Sequence, residues 1–146
     1  MEIKRLAVVI LAVLLSGCGG VTSRVRQGRV SATLDQKPER RGYLEAIGIG
    51  ASDPALPTET QRKSLARDAA IVKAQYELLS MIKGVDLEGG IRVDRALEKD
   101  SNLETRLKET IRGAEILKSE FTSDNGCVVT MRVSKQKLNR LMEVKF

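Results

Sequence analysis

The sequence predicts an α+β domain: a small antiparallel sheet of three to four strands packed against one long and one or two shorter helices. Three observations carry this reading. Apolar residues recur at steps of three and four between a capping box at Thr58 and a glycine at Gly84, the signature of one long amphipathic helix. Asp124-Asn125-Gly126 is a tight-turn signal between two runs of strand character, which makes a hairpin. Tyr43 to Ala51 reads as a further strand. Elements that each hide one apolar face bury it by stacking in layers, here helices on one face of a sheet.

Ahead of this domain, Met1-Glu2-Ile3-Lys4-Arg5 precedes an unbroken apolar run from Leu6 to Leu15. A basic start, a short apolar core and small residues after it make a secretory signal peptide. The core, about ten residues, is too short to cross a bilayer of roughly 30 Å as a helix. Leu15-Ser16-Gly17-Cys18 resembles the lipobox of bacterial lipoproteins. The resemblance implies that residues 1–17 are removed, that the Cys18 sulfur takes a diacylglyceryl group, and that its new amino group is acylated. Each buried methylene of such chains contributes about 0.8 kcal/mol to anchoring. An ordinary signal peptide with an incidental cysteine, or an uncleaved N-terminal anchor, are the alternatives. Gly19 occupies the place where the enteric-type sorting rule has an Asp for retention at the inner membrane. The implied location is therefore the periplasmic side of the outer membrane.

Without the leader, one domain's worth of chain remains, enough to bury a core. The 146 residues hold 25 Lys and Arg against 19 Asp and Glu, and this basic excess survives removal of Lys4, Arg5 and Glu2. Behind a secretory signal the polyanions within reach are lipopolysaccharide, anionic headgroups and cell-wall polymer; a merely well-solvated surface is the plainer reading. With Cys18 lipidated, Cys127 has no intramolecular disulfide partner. Histidine is absent, which removes the commonest general base and the commonest metal ligand. With no Trp, two Tyr and two Phe, stacking platforms for sugars or single-stranded nucleic acid have little to work with. The expectation is a protein that is not an enzyme, has no cofactor or metal, and binds neither nucleic acid nor a small-molecule substrate.

Taken in order, residues 18–41 read as a basic, flexible tether: Gly19-Gly20, the spaced Arg24, Arg26 and Arg29, and then Gln36 to Arg41 sustain no apolar period. Val30 and Leu34 offer at most a short strand or helical turn. The single domain, 42–146, opens with the strand at Tyr43. Its Gly48-x-Gly50 is not a nucleotide loop, because a third glycine would fall at Asp53, and Pro54 and Pro57 intervene before the helix. In the helix, Leu65, Ala69, Val72, Tyr76, Leu79 and Ile82 form the expected buried stripe, widened by Ala66, Ala70 and Ala74 so that the helix sits close to a sheet. Val85 to Glu88 and Ile91 to Val93 alternate as a strand interrupted at Gly89-Gly90, with Asp86 and Glu88 on one face. Two carboxylates could serve a hydrolase if they converged in a pocket, but a solvated strand face is the expectation. Ser101-Asn102-Leu103-Glu104 is a second capping box, and Leu103, Leu107 and Ile111 continue its helix to Gly113; residues 94–100 are loop or an extra turn. Ala114 to Thr122 and Cys127 to Val133 form the hairpin, with Cys127, Val129, Met131 and Val133 facing inward. Cys127 is thus a small buried hydrophobe rather than a nucleophile. A short helix from Lys135 to Glu143 closes the domain.

Tyr43-x-x-Ala46-x-Gly48-x-Gly50, the helix around Ala66-Arg67-Asp68-Ala69-Ala70, Ile111-Arg112-Gly113 and the final strand Cys127 to Val133, together with the lipobox, resemble the LPP-twenty superfamily of small bacterial lipoproteins. The likeness covers roughly residues 43–143 and the signal, and within the superfamily it is greatest to the flagellar outer-membrane lipoproteins of the FlgP kind. It implies a structural lipoprotein that self-associates into a ring or disk at the flagellar motor, with other flagellar ring proteins as neighbours. It brings no catalytic residues, so Cys18 is the one site residue expected, as the lipidation site. A monomeric envelope lipoprotein that holds a protein, cell wall or lipopolysaccharide is the alternative.

Overall fold

Strand β4 (Tyr43–Gly50) carries glycine at two of the positions that face the helical layer, and this sets how the two layers meet. The structure is a computed structural model of the chain and describes residues 21–31, 39–40, 42–86, 90 and 92–142. Helix α1 (Glu59–Lys83) crosses β4 at very short range. A Cβ placed on Gly48 would stand 1.9 Å from the Ala70 carbonyl oxygen, and one on Gly50 would stand 1.9 Å from that of Ala66. Only glycine on the strand and alanine on the helix fit such an approach. Ala66, Ala70 and Ala74 are accordingly fully buried, and Leu78 and Ile82 continue their row.

The main sheet runs β3-β4-β6-β5, antiparallel throughout, with β3 (Glu39–Arg40), β5 (Glu115–Phe121) and β6 (Cys127–Ser134). β4 and β6 pair from Tyr43↔Ser134 to Gly50↔Cys127. This register puts Leu44, Ala46, Gly48 and Gly50 beside Val133, Met131, Val129 and Cys127 on the helix face. The expected hairpin is present: Thr122 donates to the Gly126 carbonyl at 2.9 Å, and Asn125 takes the left-handed conformation, φ 65°. A register shift between Ile116 and Lys118 makes a bulge at Leu117. Helices α2 (Val93–Lys99), α3 (Ser101–Arg112) and α4 (Lys135–Met142) complete the second layer. Their Val93, Leu97, Leu107, Ile111, Leu138 and Met142 join Leu78, Ile82 and Met131 in one core. The architecture is the α+β stack of helices on an antiparallel sheet that the sequence predicts.

Four local readings differ from the expectation. The apolar stripe of α1 is the first: Ile82 is buried, but Leu65, Val72 and Tyr76 are 45%, 64% and 62% exposed. The gap left by Gly48 and Gly50 admits alanine and excludes leucine, so the small residues take the sheet side. The second is the strand over 85–93: Val93 already starts α2 and is buried as its first residue, and Asp86 and Arg92 form an isolated bridge, while residues 87–89 and 91 lie outside the described residues. The third is the cap of α3. It is Asp100, whose Oδ1 accepts from Asn102 N at 2.9 Å and Leu103 N at 3.1 Å, while Ser101 is the first helical residue. A carboxylate at the junction of two helices satisfies first-turn donors of α3 one residue earlier than the expected box at Ser101. The fourth is the tether. Part of it is a hairpin, β1 (Val25–Arg26) and β2 (Arg29–Val30), turned by Gln27 and Gly28 at φ 51° and 72°. Positive φ at both central residues is the tight turn that matches strand twist. The capping box of Thr58 and Gln61 and the stop at Gly84 are present as expected.

Two comparisons test this account. Gly48→Ala should lower stability by at least about 2 kcal/mol in chemical denaturation, because backbone must move to admit the methyl group. Gly84→Ala, where a Cβ meets nothing closer than 3.6 Å, should change it little. Asp100→Ala should cost about 1 kcal/mol through the lost cap, while Ser101→Ala should be nearly neutral.

Candidate functional site: the N-terminal hairpin and the outer face of the long helix

The β1–β2 hairpin is held at the β5–β6 turn by a few polar contacts. Ser23 Oγ donates to Glu120 Oε1, and the Arg24 N–H donates to Glu120 Oε2 at 2.7 Å. Ser123 N and its Oγ donate to the Gly28 carbonyl at 2.8 and 3.1 Å. Lys118 Nζ lies 3.2 Å from Glu120 Oε1. Partial burial pushes the Glu120 pKa up, but these donors together outweigh it and hold the carboxyl below its ordinary value. Cys18, the expected lipidation site, lies outside the described residues. It precedes Ser23 by five positions, a reach of roughly 18 Å at full extension. An anchor on Cys18 would therefore hold the β5–β6 turn near the membrane, with Arg26 and Arg29 exposed on the hairpin beside it.

Of the groups considered for catalysis, Asp86 and Cys127 lie among the described residues. Asp86 is exposed opposite Arg92, and Glu88 lies outside the described residues. The Cys127 thiol is fully buried, and burial pushes its pKa up, away from the reactive thiolate. Among the described residues, no group of three or more Cys, Asp or Glu is placed to hold a metal ion, and no helix is long and apolar enough to cross a membrane. Arg132 is bound by Glu115 at 2.8 and 3.2 Å and lies 4.3 Å from the Tyr43 ring centroid, an arrangement that stiffens the outer face of the sheet.

Two surfaces stand out among the described residues. Opposite the sheet, α1 presents Leu65, Ala69, Val72 and Tyr76 to solvent along one line, with Leu79 half-buried at its end. A groove of about 200 Å³ separates this line from α3, where Lys108 and Arg112 form the far wall. Next to Val72 on the same helix, Lys73 lies 2.8 Å from Glu77 and 5.0 Å from the Tyr76 ring centroid. The second surface is a groove of about 380 Å³ between α3 and α4, in which Arg106, Lys137 and Arg140 outnumber the one acid, Glu109. The sequence reading missed both. Periodicity places the α1 line inside, and the glycines of β4 and alanines of α1 rank the faces only once that strand and that helix are known to meet. The basic groove joins residues about thirty positions apart, and no local pattern links them.

Comparison with known protein families, with curated proteins and with solved structures finds no match.

The Glu120 contact has a pH dependence of defined sign. A carboxyl whose folded pKa is depressed contributes stability above its unfolded value, 4.5, and loses it as pH falls through the folded one. Protection of the Arg24 amide against hydrogen exchange should thus be constant from neutral pH to about 4.5 and decline below. Glu120→Gln should weaken it at neutral pH and flatten the acid response.

Proposed function

We propose that this chain is a structural lipoprotein, held by Cys18 on the periplasmic side of the outer membrane, that self-assembles into a ring or disk associated with the flagellar motor. The observation that carries the assembly part is the exposed apolar line on α1. Contiguous apolar surface on a small domain marks a contact site more often than a bare surface. Strand β5 adds a second surface, since it ends the main sheet and its outer edge is open to pairing among the described residues. Two dissimilar surfaces on one domain meet the requirement of head-to-tail contacts, which close into rings or continue as arrays. The lipid anchor would confine copies to one surface and raise their effective concentration. The flagellar part rests on the resemblance to the LPP-twenty lipoproteins alone.

A second reading is favoured by the basic groove between α3 and α4: a monomeric envelope lipoprotein that holds an anionic polymer such as cell wall or lipopolysaccharide. Three cations facing one acid suit a polyanion.

Membrane fractionation with metabolic labelling tests the anchor: Cys18→Ala should abolish acyl incorporation and release the chain from the outer membrane. Electron cryotomography of a deletion strain tests the role; a periplasmic density missing around the motor is expected, and an unaltered motor with full motility overturns it. Lys137→Glu with Arg140→Glu should leave assembly intact under the first reading and abolish salt-sensitive polymer binding under the second.

A further inference from the structure

We propose that α1 pairs in parallel, about a two-fold axis, with α1 of a second copy of this chain. This pairing is one interface of the self-assembly proposed above, and the spacing of the exposed residues points to it. Leu65, Ala69, Val72, Tyr76 and Leu79 follow steps of four, three, four and three, a period of 3.5 residues. That is the period of a seam that stays against one partner helix as the two wind together. The inner row, Ala66, Ala70, Ala74, Leu78 and Ile82, advances by four and is occupied by the sheet and the other helices. One helix thus carries two apolar rows of different period. The second has large side chains, Val72 and Tyr76, more than 60% exposed.

The flanking charges choose the occupant and its direction. In heptad terms Leu65, Val72 and Leu79 take position d, and Ala69 and Tyr76 take position a. Asp68 then falls at g and Lys73 at the following e. In a parallel pair, g of one helix meets the following e of the other, so Asp68 meets the partner's Lys73 and the two-fold axis repeats the contact. The other g and e positions between Gln61 and Ser80 are Gln61, Ala66, Gln75 and Ser80, so no like charges meet at those positions, and Arg62, at the a position before Leu65, is turned back to donate to the Leu56 carbonyl at 2.7 Å. An antiparallel pair sets e against e and g against g, and offers no opposite-charge contact. Lys73 is free to turn toward such a partner, since it is about half exposed and held only by Glu77 on its own helix and by the Tyr76 ring.

The direction also agrees with the tether. Gly50 lies on Ala66 and Gly48 on Ala70 and Ala74, so α1 starts at the end of the sheet where the β1–β2 hairpin docks. Ser52 Oγ on Asp124 O and Lys63 over Phe121 place it at that same end. Parallel pairing brings both hairpins to one end, facing one membrane. This last argument rests on the anchor reading; the seam and its charges do not. Leu65 to Leu79 spans about 21 Å, two heptads, so the pair would be weak in dilute solution and favoured where copies are confined. A two-fold contact is closed, and any ring must use a different surface, such as the β5 edge.

Disulfide trapping in membranes of cells expressing the full chain tests this. In a parallel pair, position 65 faces its own copy within disulfide reach, Cα atoms about 6 Å apart; in an antiparallel pair centred on Val72 the copies of residue 65 lie about 21 Å apart. Leu65→Cys should give a disulfide-linked dimer under mild oxidation, while Ser64→Cys, exposed but off the seam, and the unsubstituted chain should not. Asp68→Lys in the Leu65→Cys background should reduce the yield about five-fold, and adding Lys73→Asp should restore it. Absence of the Leu65→Cys dimer in a chain that fractionates with the membrane, an equal yield from Ser64→Cys, or failure of the double exchange to restore the yield overturns the pairing. Because fractionation is read on the same samples, a chain found unanchored yet trapped at residue 65 removes the anchor and leaves the pairing.

Discussion

The fold depends on one close contact, the approach of the α1 backbone to β4 at Gly48 and Gly50. At that range the strand can carry no side chain and the helix can carry only methyl groups. The consequence runs outward in both directions. On the inner side, the core is thin where Gly50 meets Ala66 and thick at the other end, where Leu78 and Ile82 meet residues from α2, α3 and α4. On the outer side, the leucine, valine and tyrosine that complete the apolar content of α1 have no room beneath the helix and stand in solvent. A single steric constraint therefore accounts for both the close packing of α1 on the sheet and the apolar line on its outer face.

The two ends of the domain differ in what holds them. At the Tyr43 end, burial of large aliphatic side chains dominates, a non-directional stabilisation that tolerates small changes of shape. At the Gly50 end, the β1–β2 hairpin is held by hydrogen bonds that converge on one carboxylate, Glu120, and on the Gly28 carbonyl. Such contacts are directional and, being partly exposed, modest in net strength. An end held in this way positions the hairpin on the domain without committing the core to it.

Much of the architecture was legible in the chain. The capping box at Thr58 and Gln61, the turn at Asp124-Asn125-Gly126 and the inward set Cys127, Val129, Met131 and Val133 are local patterns with one physical solution each, and all are present. The misreadings share a cause. Local periodicity or residue type puts the α1 stripe inside, Val93 in a strand and the cap on Ser101, while the close approach of α1 to Gly48 and Gly50, the start of α2 at Val93 and a better cap one residue away decide otherwise. The basic groove was illegible for the same reason, since Arg106 on α3 and Lys137 and Arg140 on α4 meet only when those helices pack.

The sequence by itself determined the class of fold, the boundaries of the long helix and the hairpin, and, through the likeness of Leu15-Ser16-Gly17-Cys18 to a lipobox, where to look for an anchor. Periodicity and turn chemistry act between residues a few positions apart, so they can be read from the chain alone. Only the tertiary structure decided which face of α1 is buried, because helical periodicity marks two faces of that helix as apolar and cannot rank them. The ranking comes from the space left above Gly48 and Gly50 on a strand that the helix meets only after folding.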